Sequence, residues 1–99
     1  MKLYTLYIGL AKVDTLQQRA SAIASLEEVL LHRFGGYSHS VIAGGWRDGS
    51  ETYREPSLRV ELVSDLPEHE LDTVAIFAKA RFDQLSVLVT VTPAGIKFL

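Results

Sequence analysis

Apolar and polar residues alternate along four segments of the chain, and two longer segments repeat apolar residues at helical spacing. Alternation is typical of strands in a sheet with one buried face, and a period of three to four residues is typical of amphipathic helices. Strands are therefore predicted over 3–10, 37–46, 52–63 and 86–92, and helices over 15–34 and 67–83. The resulting order is β-α-β-β-α-β.

Turn and capping residues set the boundaries of these elements. Asp14, with Gln17 three residues later, matches a capping box and predicts a helix that begins near Thr15. Gly35-Gly36 follows the last apolar residue of that helix, as glycines at helix C-termini commonly do. Asp48-Gly49, between two alternating segments, predicts the turn of an antiparallel hairpin.

This order of elements predicts the fold class. A chain of 99 residues corresponds to one domain, so residues 1–99 are expected to form a single α+β unit. The economical packing is a ferredoxin-like or PII-like βαββαβ sandwich, with one antiparallel sheet and both helices on one face. Pro56 lies inside the third strand, which predicts either a bulge there or a sheet edge.

One face of the sheet has no helix to cover it. Leu58, Val60 and Leu62 belong under the helices, so the alternate residues of that strand point the other way. The face is either a solvated surface or a contact between subunits, and the pattern leaves both open. Because so small a chain has little room to enclose a ligand, we expect a homo-oligomer. Its predicted contact residues are Tyr7, Arg59, Leu88 and Thr90.

Composition and charge exclude several classes of function. The formal net charge is −2 and no run of Lys or Arg occurs, which argues against nucleic-acid binding. There is no cysteine, which excludes disulfides and thiolate catalysis. No segment has the length of a membrane span or the features of a signal peptide, so we expect a cytoplasmic protein that does not bind membranes.

The polar residues form no conventional catalytic set. Of the three histidines, His32 and His69 lie in the predicted helices, and neither has a metal ligand four residues later, so we expect no metal site. Ser38 and Ser40 flank His39 in a strand and so point to the opposite face, which argues against a nucleophile–base pair.

Two further features allow two interpretations each. Trp46, just before the hairpin turn, could fill the core at the sheet end or form an aromatic platform for a planar ligand. Glu55 could pair with Arg59 on the outward face, or could belong to a site beside Pro56.

The sequence resembles the small phage-encoded S-adenosylmethionine (SAM) lyases, formerly called SAM hydrolases. The resemblance covers most of the chain and rests on three segments, 4–10, 55–60 and 78–95. The first is a predicted strand with Tyr and small residues. The second has the Glu, Ser and apolar-Arg-Val residues of a strand in that family, here with Pro56 after the Glu. It implies cleavage of SAM to methylthioadenosine and homoserine lactone by attack of the substrate's own carboxylate, without a cofactor. The implied role is phage anti-restriction in the host cytoplasm.

The same resemblance implies where the site lies. That family has a required strand Glu, which here is Glu55, and trimers with sites between subunits. Tyr53, Trp46 and Gln84 are the further residues that we expect to bind SAM, as stacking or polar groups near the same end of the sheet.

A second resemblance, to small uncharacterised bacterial proteins, implies the same fold and no function. It rests on Arg33 to Tyr37, Gly44 to Arg47, Arg54 to Ser57 and Phe82 to Leu88. A non-enzymatic oligomer that binds a small ligand or a partner protein is therefore the alternative to a lyase.

Overall fold

The computed structural model describes all 99 residues, which form two helices and one four-stranded sheet. The elements are β1 (Lys2–Gly9), α1 (Leu16–Phe34), β2 (Ser38–Asp48), β3 (Glu51–Ser64), α2 (Glu68–Arg81) and β4 (Leu88–Pro93). The strands lie in the order β2-β3-β1-β4, and every neighbouring pair is antiparallel. This confirms the predicted α+β ferredoxin-like fold.

The hydrophobic core lies between the helices and one face of the sheet. Alternate residues of the two central strands are fully buried there, because each strand presents every second side chain to the helices. The strands contribute Tyr4, Leu6, Ile8, Leu58, Val60 and Leu62, and the helices contribute Ala22, Leu26, Leu30, Leu71, Val74 and Ala78. The opposite face of the sheet has no covering layer within the chain.

Helix α1 begins at Leu16, one residue later than the sequence analysis predicted. Thr15 is the N-cap: its Oγ1 accepts a hydrogen bond from the Gln18 backbone N–H at 3.1 Å, and Gln18 Oε1 accepts one from the Thr15 N–H at 3.5 Å. The capping box is therefore Thr15–Gln18 rather than Asp14–Gln17. Gly35, at φ 76°, ends the helix as predicted.

The hairpin between β2 and β3 turns where the Asp-Gly pair predicted, with Asp48 paired to Glu51. Gly49-Ser50 forms the two central positions, and only Gly49 has a positive φ, at 61°. Glycine at the first central position is typical of type II′ turns, whose twist matches that of the flanking strands.

Pro56 lies at a local sheet edge and not in a bulge. The β2–β3 register runs unbroken through Ala43 and Pro56, whereas β1 stops pairing with β3 at Gly9 and Ser57. The proline nitrogen therefore faces the side that β1 has just left, where no strand requires its missing N–H. The hairpin beyond this point, 43–56, projects past β1, and we call it the hairpin arm.

A polar contact joins α1 to the start of β2. The Tyr37 hydroxyl donates to the Glu27 carboxylate, and His39 Nε2 lies 3.6 Å from Glu27 Oε2. The pKa of Tyr37 is raised above its ordinary value of 10.0, mainly because its hydroxyl donates this hydrogen bond to Glu27. Burial and the charge of Glu27 raise the pKa further. A raised folded-state pKa contributes stability that is present below the unfolded-state pKa and lost as the pH rises through the folded-state value.

Tyr37→Phe is therefore expected to lower the free energy of unfolding at neutral pH, because the variant leaves Glu27 without its donor. The difference from wild type should shrink as the pH rises past about 10, where the tyrosine of the unfolded chain ionises, and through the higher pKa of the folded protein. Urea denaturation of both proteins at neutral and at alkaline pH measures this. A difference that stays constant with pH would show that the hydroxyl stabilises the fold in another way.

Candidate functional site

Three of the residues expected to bind SAM lie on the uncovered face of the hairpin arm. Trp46 is paired with Tyr53, and Glu55 follows Tyr53 by two residues on the same strand. Because Leu58 and Val60 face the helices, the odd-numbered residues of β3 point away from them. Tyr53 and Glu55 are therefore neighbours on one face, about 7 Å apart along the strand.

Glu55 and Gln84 meet above Gly9, the last residue of β1. A Cβ added at Gly9 would lie 2.4 Å from Gln84 Oε1 and 2.8 Å from Glu55 Oε1, closer than unbonded atoms approach. Both oxygens therefore occupy the space that any other residue at position 9 would fill. The structure thus brings a side chain from the hairpin arm and one from the α2–β4 loop to the same point.

The backbone after α2 holds Gln84 in this orientation. Asp83 has φ 52°, the left-handed conformation that few residues other than glycine, asparagine and aspartate adopt. The Gln84 side-chain Nε2 donates to the carbonyl oxygens of Phe82 at 3.1 Å and Asp83 at 3.4 Å. If the amide were turned by 180°, its oxygen would face the two carbonyl oxygens and could form no hydrogen bond with them. The amide therefore keeps Nε2 toward the carbonyls and Oε1, an acceptor, above Gly9.

The Glu55 carboxylate is partly buried and forms no hydrogen bond or ion pair within the chain. An outward pair with Arg59 does not form, since Arg59 Nε lies 3.4 Å from Glu61 Oε1 instead. A partly desolvated carboxylate without a partner is costly, and this cost would be offset by a ligand that donates hydrogen bonds to it. Glu55 and Gln84 together present two acceptors and no donor.

Trp46 and Tyr53 form an aromatic pair further along the hairpin arm. Their ring centroids are 4.3 Å apart with an interplanar angle of 14°, and 51% of Trp46 and 43% of Tyr53 are exposed. This exposure excludes the interpretation of Trp46 as a core residue. The pair offers a stacking surface on the face where Glu55 lies.

An open recess of about 490 Å³ lies at the base of the arm. The residues that line it are Val41, Ile42, Ala43, Gly44, Arg54, Glu55 and Pro56. The recess is a broad depression rather than an enclosed cavity, so one copy of the chain does not surround a ligand there.

The central part of the uncovered face carries the predicted contact residues. Tyr7 lies between Arg59 and Leu88 in one row across three strands, and Thr5 pairs with Thr90 in the next row. Leu88 is 61% exposed. This apolar and hydroxyl-bearing surface is continuous with the end of β1 where Glu55 and Gln84 meet.

Gly9 is a residue of the site that the sequence analysis did not identify. A glycine inside a strand often marks a close approach of other groups to the backbone, and this signal was available in the sequence. The left-handed conformation of Asp83, which orients Gln84, could not be recognised from the sequence in the same way.

The histidines lie apart from this site. His39 lies near Glu27 on the helix side of the sheet, and His69 lies near Glu70 at the start of α2. No group of three or more His, Cys, Asp or Glu side chains is placed to hold a metal ion. No helix combines the length and apolar composition that crossing a bilayer requires.

No protein-family model and no curated protein sequence matches the chain. Among solved structures, a phage SAM lyase in complex with S-methyl-5′-thioadenosine superposes with a TM-score of 0.67 and 14% identity, over 92% of this chain and 79% of the lyase. This chain has the fold of the phage SAM lyase. The sequence resemblance to that family is thus matched by a likeness in three dimensions.

Other small proteins share the fold as well, as the second resemblance implied. The periplasmic divalent cation tolerance protein CutA from Archaeoglobus fulgidus has a TM-score of 0.65 and 10% identity, over 99% of this chain and 88% of CutA. A DUF3240 family protein from Shewanella baltica has a TM-score of 0.56 and 12% identity, over 99% of this chain and 94% of its own. At these identities the likeness extends to the fold alone, and function has to be argued from the site.

Proposed function

We propose that this protein is a SAM lyase that converts SAM to methylthioadenosine and homoserine lactone. The observation that supports this most is the unpaired Glu55 carboxylate, which lies beside Gln84 Oε1 on a face that also carries an exposed aromatic pair. Together these groups match a ligand with an aromatic base and several N–H or O–H donors. The fold shared with a phage SAM lyase adds support.

The proposed reaction needs no acid, base or metal. A carboxylate oxygen of SAM attacks the γ-carbon of its own methionyl chain, the carbon–sulfur bond breaks, and its electron pair neutralises the sulfonium. The products are neutral methylthioadenosine and a lactone that retains the ammonium group, so atoms and charge balance. The protein has to hold the chain in the attack conformation and exclude water, which suits a site without a conventional catalytic set.

Each residue then has a limited role. Trp46 and Tyr53 stack on the adenine, while Glu55 and Gln84 accept hydrogen bonds from the substrate. Glu55 does not act as a base, because the reaction removes no proton. A carboxylate against the sulfonium would also be unfavourable, since that positive charge disappears in the transition state and would be stabilised more in the ground state.

The proposal includes the assembly and the biological role. We expect a homotrimer with the site between subunits, because the recess at the base of the arm is open in a single chain. Lowering the SAM concentration in the host cytoplasm would deprive restriction and methylation enzymes of their cofactor, which is the anti-restriction role that the resemblance implies.

Incubation of the purified protein with SAM, followed by chromatography, tests the proposal. We expect methylthioadenosine to accumulate, at a rate that is flat between about pH 6.5 and 8.5 because no group has to titrate there. A bell-shaped profile would instead indicate a general acid or base. Binding of SAM without turnover would favour the alternative of a non-enzymatic ligand-binding oligomer.

A further inference from the structure

Gly9 is the point on which the two acceptor side chains converge. Gln84 Oε1 and Glu55 Oε1 lie 2.4 and 2.8 Å from where a Cβ would be, and Gln84 Cδ lies 3.1 Å from it. All three contacts are with the ends of flexible side chains and none is with backbone. A methyl group at position 9 would therefore displace the two oxygens and leave the strand in place.

The two oxygens differ from an ordinary polar surface in offering acceptors alone. Gln84 Nε2 is used by the Phe82 and Asp83 carbonyls, so the amide contributes only its oxygen. The Glu55 carboxylate contributes a full negative charge and has no partner in the chain. A primary ammonium matches both, because it carries a positive charge and directs several N–H donors from one nitrogen.

A ribose hydroxyl fits this arrangement less well. Each hydroxyl supplies one donor and also presents lone pairs, which would face a carboxylate and an amide oxygen with no protein donor between them. Both acceptors are satisfied at once by a tetrahedral ammonium.

We propose that Gly9 is a specificity-determining position, which keeps Glu55 and Gln84 placed to bind the α-ammonium group of an amino-acid ligand. The identity of that ligand as SAM rests on the proposed function. Gly9 acts through the two side chains and so is a positioning residue. Gln84 contacts the ligand directly.

Two unreactive probes separate the ammonium from the nucleoside. S-adenosylhomocysteine carries adenosine and an α-amino acid joined by a neutral thioether, whereas methylthioadenosine carries no amino-acid group. Gly9→Ala and Gln84→Met are each expected to weaken S-adenosylhomocysteine binding by roughly tenfold or more, the typical effect of losing a charge-assisted hydrogen bond. Their affinity for methylthioadenosine should stay within about twofold of wild type.

Gly36→Ala is the matched control, since Gly36 has an ordinary φ and open space where its Cβ would lie. Calorimetry with both probes on wild type and the three variants gives the result. Equal losses for the two probes would overturn the inference and assign the acceptors to the ribose or to the fold. Unchanged S-adenosylhomocysteine binding in Gly9→Ala and Gln84→Met would overturn it as well. Wild type that binds neither probe would reject the proposed function and the inference with it.

Discussion

Glu55→Ala is expected to lower the rate of SAM cleavage by about one to two decades. The variant loses a charge-assisted hydrogen bond to the substrate, which typically contributes about 1.5–3 kcal/mol. Glu55→Gln should lose less, because the amide keeps the shape of the side chain and one acceptor oxygen. Since Glu55 has no partner in the chain, neither substitution removes a contact within the fold.

Glu28→Gln is a suitable control for this comparison. Glu28 is exposed on α1, which packs on the opposite face of the sheet. The values of kcat/KM for SAM, together with thermal unfolding of each variant, separate a loss at the site from a loss of fold. Full activity in Glu55→Ala would remove this residue from the site.

Leu88→Asp is expected to convert the oligomer into monomers and to abolish most of the activity. Leu88 lies beside Tyr7 on the uncovered face, so a carboxylate there would be buried without a partner when subunits associate. An unpaired buried charge costs about 3–5 kcal/mol, which raises a dissociation constant by roughly a hundredfold or more at each contact. Activity should fall in parallel because the proposed site lies between subunits.

Leu31→Asp is the matched control, since Leu31 is half exposed on α1, on the other side of the molecule. Light scattering at micromolar concentration measures the mass of each protein. A wild-type monomer at this concentration would reject the assembly. A trimer that survives Leu88→Asp would show that subunits associate through a different surface, such as the hairpin arm.

The order and type of the elements could be predicted because alternation and helical spacing are local properties of the sequence. Boundaries were less certain where two signals overlap. Asp14–Gln17 and Thr15–Gln18 are both capping boxes one residue apart, and only the structure shows that Thr15 accepts the hydrogen bond. Similarly, Pro56 could mark a bulge or an edge, and the answer depended on where β1 ends, which is a property of a distant segment.

The candidate site could be predicted only in part for the same reason. Period two placed Glu55 on the uncovered face, because strand alternation is local. The convergence of Gln84 with Glu55 over Gly9 joins three segments far apart in the chain and depends on the left-handed conformation of Asp83. Likewise, the pairing of Arg59 with Glu61 rather than Glu55 depends on side-chain conformations that spacing does not fix.

Cleavage of SAM in water enriched in the heavy oxygen isotope tests the proposed lyase most directly. Attack by the substrate's own carboxylate should give methylthioadenosine and a lactone that carries no solvent oxygen on its γ-carbon. Hydrolysis would instead give homoserine with a labelled γ-hydroxyl, as mass spectrometry would detect. Labelled γ-hydroxyl, or wild-type protein that leaves SAM intact, would contradict the account.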